Sequence, residues 1–129
     1  MSKDYAMAKV MIVDDDQTMV SLLKILLEMD GFEVIDVNRG GEMIDAAQRE
    51  KPDLVLMDVF LSDADGKDVM VELRNTPGLN DLRVVMTSGM DLGDQCIMAG
   101  ADAFLLKPYT PEQLMKAIKE NLPEASEIG

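Results

Sequence analysis

The chain of 129 residues contains no histidine and a single cysteine, Cys96. Without imidazole it cannot build a His-based triad, an imidazole general base or most transition-metal sites. One thiol allows no internal disulfide, and a thiolate zinc site lacks ligands. Any metal must therefore be held by oxygen, which points to Mg²⁺ or Ca²⁺. Basic residues are scarce as well: 12 Lys and Arg stand against 25 Asp and Glu, a net charge of −13. That balance argues against direct nucleic-acid binding, which needs cations to displace counterions from phosphates. It argues equally against docking on anionic membranes. No apolar run approaches the roughly 18 residues that span a bilayer. Met1 to Lys9 carries Asp4 and no apolar stretch, so it does not read as a secretory signal. A cytoplasmic location is the expectation.

What is present suits one soluble globular domain. The length is enough for one continuous core and short for two, and 47% hydrophobic with 29% charged residues is ordinary composition. Five short apolar, branched runs recur: Val10–Val13, Val34–Val37, Leu54–Met57, Val84–Met86 and Phe104–Leu106. Three are continuous rather than alternating, as strands buried on both faces of a parallel sheet are. Between them lie helical patterns. Met19, Leu22, Leu23, Leu26 and Leu27 share one helical face before Gly31, a C-terminal stop. Met43 to Ala47 suggests a second helix, Val69 to Leu73 a third, and Asp91 to Ala99 a fourth that ends at Gly100. Thr110-Pro111-Glu112-Gln113 opens the last with an N-cap, a first-position proline and a capping-box Gln. The twelve methionines read mostly as core filling, with Met90 and Met98 as candidates for a partner face.

Strand and helix thus alternate five times, which predicts a doubly wound α/β sandwich with right-handed crossovers. Ligands of such sheets bind beyond the carboxyl ends of the strands, and polar residues gather there in this chain. Asp14-Asp15-Asp16 follows the first strand, Asp58 the third, Thr87-Ser88-Gly89 the fourth and Lys107-Pro108 the fifth. Clustered carboxylates resist joint ionisation unless a cation offsets them. A divalent ion and the Lys107 ammonium are the obvious cations, and together they suit a phosphoryl donor. A carboxylate can itself be the nucleophile and form an aspartyl phosphate. Each feature alone also has an ordinary reading as a turn, a helix cap or a surface loop; the conjunction at successive strand ends is what points to chemistry.

On Val13-Asp14-Asp15, Leu56-Met57-Asp58, Asp65-Gly66, Ser88-Gly89 and Lys107-Pro108-Tyr109-Thr110, the chain resembles the response-regulator receivers of two-component signalling. The resemblance covers about residues 8–122, leaving 1–7 as an N-terminal extension and 123–129 as a tail or the start of a linker. It implies a flavodoxin-like five-stranded parallel sheet of order 2-1-3-4-5 with five helices. It implies that Asp58 is the phosphoryl acceptor. Asp15 and Asp58 would bind Mg²⁺ directly, Asp14 through water, and the Phe60 backbone carbonyl would be a further ligand. Lys107 would pair with Asp58 or its phosphoryl group across a cis Lys107-Pro108 peptide. Ser88, chosen over Thr87 because Gly89 follows it, would be the switch hydroxyl, and Phe104 the aromatic that turns with it. The face of fourth helix, fifth strand and fifth helix would then change shape. The implied donor is a histidine kinase or a phosphotransfer protein. The output would be a downstream protein or an attached effector domain, and the chain would catalyse only its own phosphorylation and dephosphorylation.

Two departures stand out. Ser62 occupies a position where the family often has proline, so the loop after Asp58 is expected to be freer; Phe104 stands where tyrosine is common. Rival readings exist. A phosphate-independent receiver-like interaction module is one. A haloacid-dehalogenase-type phosphatase is another, with Asp14 as nucleophile and Asp16 as general acid in Asp14-Asp15-Asp16-Gln17-Thr18; it lacks the acidic pair required after the lysine. A calcium loop at Leu61 to Glu72 fails because Leu61 cannot coordinate.

Overall fold

In a computed structural model that describes residues 8–123, five strands and five α-helices alternate along the chain. The strands are β1 (Lys9–Val13), β2 (Glu33–Val37), β3 (Leu54–Asp58), β4 (Arg83–Ser88) and β5 (Ala103–Leu106). The helices are α1 (Gln17–Met29), α2 (Met43–Glu50), α3 (Gly66–Arg74), α4 (Gly93–Ala99) and α5 (Pro111–Asn121). A 3-10 turn, Gly40–Glu42, precedes α2. The sheet is parallel throughout in the order β2-β1-β3-β4-β5, as the resemblance implied.

The strand sequences follow from position. β1, β3 and β4 lie inside the sheet and bury nearly every residue, whereas the edge strands β2 and β5 are only partly covered. Alternation along each strand divides the core in two. Met11, Val13, Val55, Met57, Val84 and Met86 face α2, α3 and α4; Val10, Ile12, Leu54, Leu56 and Val85 face α1 and α5. Met11, Met43, Met57, Met70 and Met86 are fully buried, as core filling requires, while Met90 and Met98 are exposed.

The boundaries differ from expectation at the ends that matter. Asp58, Thr87 and Ser88 are the last residues of their strands rather than the loop residues after them. They extend the ladder through Asp58↔Thr87 and Ser88↔Leu106, because their backbone pairs with neighbouring strands whatever their side-chain polarity. α4 begins at Gly93 rather than Asp91. Gly31 and Gly100 follow α1 and α4 at φ of 94° and 116°, the left-handed conformation that a stop glycine supplies. The capping box at Thr110 forms as read: Gln113 N–H donates to Thr110 Oγ1 (3.1 Å) and Thr110 N–H to Gln113 Oε1 (2.8 Å). The extension 1–7 and residues 124–129 of the expected tail lie outside the described residues.

Candidate functional site

β1 has β2 on one side and β3 on the other, so the chain leaves neighbouring strand ends in opposite directions and a crevice opens between them. Three expected site residues meet there. The Lys107 Nζ lies 3.6 Å from Asp14 Oδ2 and 3.6 Å from Asp58 Oδ2. Asp14 is buried, and the Asp58 side chain is only 12% exposed. Asp14 Oδ1 accepts the Asp16 N–H at 2.9 Å. Burial pushes the Asp58 carboxyl above its ordinary range, and the Asp14 charge adds to this; Lys107 and the Phe60 N–H oppose it without cancelling it. The net rise reflects burial of the carboxyl, which the Lys107 ammonium only partly counters.

The backbone behind Asp58 is held by close approach. Val59 N–H donates to the Thr87 carbonyl (2.9 Å), and Gly66 N–H to the Val59 carbonyl (2.7 Å). A Cβ on Gly66 would stand 2.5 Å from the Asp58 carbonyl oxygen and 3.0 Å from Val59 Cα. Only glycine allows α3 to start this close, which is the physical content of Asp65-Gly66. Asp65 caps the helix, accepting the Lys67 N–H at 2.8 Å. At the other end of the site, Lys107 N–H donates to the Ser88 carbonyl (2.8 Å), and the Lys107-Pro108 peptide is cis.

Alternation sorts the two candidate hydroxyls. Ser88 continues the Val84–Met86 row toward α3 and α4, and Met86 pairs with Phe104 on that face; Thr87 continues the Val85 row toward α1 and α5. Ser88 and Phe104 thus share a side of the sheet. Ser88 is fully buried, and its Oγ accepts the Met90 N–H at 3.0 Å. The Phe104 ring packs beside Gly93, where a Cβ would come within 3.4 Å of it. Gly89 meets no such constraint: a Cβ there has open space, so this conformation gives no steric reason for the small residue after Ser88.

The loop expected to be freer is tied at several points. Ser62 N–H donates to Asp15 Oδ2. Asp63 takes the Gly40 N–H on Oδ1 (2.8 Å) and the Gly41 N–H on Oδ2 (3.0 Å). Those two bonds, Gly41's first, hold the Asp63 carboxyl below its usual range. Leu61 N–H donates to the Ala64 carbonyl at 3.2 Å. A sequence shows the side chain of Ser62 and not the destination of its N–H, so none of this was legible beforehand. Tyr109 is also more than a motif letter. It packs against the core on the α1 and α5 side and lines an apolar groove with Met19, Leu22, Leu26 and Leu114 beside Lys107, and burial, with Asp14 and Asp58 nearby, pushes its phenol up to about 12. Its place two residues after Lys107 was the available signal.

The phosphatase rival fares poorly. Asp16, its general acid, is the N-cap of α1, accepting the Met19 N–H at 3.2 Å, and Asp14, its nucleophile, is buried against Lys107. In the calcium-loop register, Asp63 and Asp65 are spent on the glycine amides and the α3 cap.

The donor set fits a hard cation. Asp15 and Asp58 offer carboxylate oxygens. The Phe60 carbonyl is left over by the Phe60–Asp65 bridge, whose bonds run from Gly66 to Val59 and from Leu61 to Ala64. Among the described residues no three acidic, Cys or His side chains converge into a closed cage. An ion here would keep water in its shell, which suits Mg²⁺ better than Ca²⁺. Asp14 and Asp58 set two carboxylates against the Lys107 ammonium, which leaves formal negative charge for such an ion to meet.

Comparison with known proteins places these features in a wider set. Residues 10–119 match the family model of the response regulator receiver domain. The alkaline phosphatase synthesis transcriptional regulatory protein PhoP of Bacillus subtilis is 33% identical over 124 residues, covering 94% of this chain and 50% of that protein. The chain spans about half the length of the curated relatives it matches. Among solved structures, the chemotaxis response regulator CheY4 of Vibrio cholerae is similar at a TM-score of 0.85 and 26% identity, covering 91% of this chain and 100% of that one. A sensor histidine kinase receiver domain from Pseudomonas aeruginosa has a TM-score of 0.82 at 24% identity, covering 90% of this chain and 98% of that one. That protein carries a magnesium ion in its active-site cleft; the likeness to it is one of fold.

Proposed function

The chain belongs to the response-regulator receiver domain family of two-component signalling, and we propose on that premise that Asp58 is its phosphoryl acceptor. The observation that carries the assignment is the Asp58 carboxylate at the end of β3, facing Lys107 at 3.6 Å in the strand-end crevice. An Asp58 carboxylate oxygen attacks the donor phosphorus, a P–O bond forms, and the bond to the donor's leaving group breaks. The Lys107 ammonium offsets charge gathering on the transferred oxygens. Asp15, Asp58 and the Phe60 carbonyl would hold Mg²⁺, with Asp14 acting through water. When bound, the ion supplies further neutralisation of the phosphoryl charge.

The phosphoryl group then adds acceptor oxygens within the cluster. Ser88 gives up the Met90 N–H and turns to donate to the phosphoryl group, and Phe104, on the same side of the sheet, moves into the space vacated. The α4-β5-α5 face is the output, and the shift in population is limited by how much better the phosphoryl group suits one state. The donor is a histidine kinase or phosphotransfer protein. Output passes to a separate protein or to an attached effector. The receiver unit spans residues 8–122, works in the cytoplasm, binds neither nucleic acid nor membrane directly, and turns over no substrate beyond its own phosphoryl group.

The test is intact mass after incubation with acetyl phosphate. One phosphoryl group should be gained with Mg²⁺, and none in EDTA or with Asp58→Ala. Equal gain by Asp58→Ala would remove Asp58 as acceptor. No gain and no Asp58-dependent donor hydrolysis would leave the phosphate-independent module.

A further inference from the structure

The β3–α3 loop and the acidic turn after β1 are far apart in sequence, yet a backbone amide joins them. Ser62 N–H donates to Asp15 Oδ2, 47 residues away. The donor sits in a loop that is itself braced: Asp63 grips the Gly40 and Gly41 amides on the far side, and Leu61 N–H closes on Ala64. The same loop carries the Phe60 carbonyl. Among the described residues the Asp15 carboxylate accepts no other hydrogen bond, so the second oxygen remains available.

We propose that the backbone N–H of Ser62 is a positioning group for Asp15, fixing that carboxylate and the Phe60 loop relative to each other so that both serve one divalent cation. The inference rests on the Mg²⁺ reading of the site given above. A carboxylate on a flexible side chain loses rotamer freedom when it ligates an ion. A hydrogen bond already made to one oxygen removes part of that loss and aligns the other, as the partners of metal-ligating groups generally do. The function lies in the amide rather than the hydroxyl. A proline at this position has no N–H to offer, so the contact requires a residue other than proline there.

The test measures Mg²⁺ affinity by titration calorimetry, with no phosphoryl donor, on the unaltered chain, Ser62→Ala and Ser62→Pro. Ser62→Ala keeps the amide and should bind within about twofold of the unaltered chain; Ser62→Pro should bind about tenfold more weakly. Equal affinity of the two variants, or tighter binding by Ser62→Pro, would overturn the proposal. Because the proline variant could fold poorly, amide hydrogen exchange gives an independent reading. Exchange at Ser62 should be slow in the unaltered chain and at least tenfold faster in Asp15→Ala; unchanged exchange would overturn it. Mg²⁺ binding by the unaltered chain, dependent on Asp58, separates this inference from the site assignment. Its absence would bring down both, whereas its presence with no proline effect brings down only the Ser62 role.

Discussion

Replacing Lys107 with methionine keeps the aliphatic stem and removes the ammonium that faces Asp14 and Asp58. At 3.6 Å each ion pair has a gross attraction of about 5 kcal/mol for an effective dielectric of about 20. Much of that is cancelled, because Lys107 regains its own solvation when unpaired and its side chain is 24% exposed. The net loss should be about 2 kcal/mol, or about 8 °C in Tm for a domain of this size. The assay is urea and thermal unfolding in EDTA at pH 7, followed by far-UV circular dichroism. The pH dependence gives the sign. Asp58 is raised, mainly by burial and then by Asp14, so it binds a proton more tightly folded than unfolded. Its contribution to stability is full below the unfolded carboxyl pKa and is lost as pH rises through the folded value. Lys107 limits that loss. The deficit of Lys107→Met should therefore shrink on acidification toward about pH 4. Asp58→Asn, which never ionises, should be more stable than the unaltered chain at pH 7, with the gain fading in acid. In the Asp58→Asn background the Lys107→Met deficit should fall by about half, since Asp14 still faces the lysine. Equal or higher stability of Lys107→Met at pH 7 would refute the account of this site as a carboxylate cluster held by one cation.

Two further changes probe the frame that carries the site. Gly66→Ala puts a methyl 2.5 Å from the Asp58 carbonyl oxygen, and since backbone must move to admit it, stability should fall by about 2 kcal/mol and the rate of the proposed phosphorylation at Asp58 at least tenfold; an unchanged rate from acetyl phosphate would contradict the close-approach argument. Arg74 donates to the carbonyls of Gly100 (2.9 Å), Leu82 (2.6 Å) and Asn80 (3.1 Å) and pairs with Asp102 at 3.0 Å, so Arg74→Ala should cost about 2–4 kcal/mol in urea unfolding, with Arg74→Lys recovering little because one ammonium cannot reproduce the fork.

The sequence alone determined the α/β alternation, because buried parallel strands must be apolar on both faces and the helices between them amphipathic. It also determined the chemical type of the site. With no imidazole and one thiol, oxygen ligands at strand ends were the remaining choice, and Asp14, Asp58 and Lys107 do meet there. The α5 start was readable to the residue, since a capping box is a local arrangement of four neighbours. Tertiary structure decided what depends on partners distant in the chain. Asp58, Thr87 and Ser88 became strand because neighbouring strands paired with their backbone, which side-chain polarity does not reveal. The face shared by Ser88 and Phe104 needed the register of β4 against β5. The Ser62 amide found Asp15 only once the β1 and β3 ends had been brought side by side. A side chain advertises its chemistry in the sequence; a backbone amide is the same at nearly every position, and only the fold gives it an address.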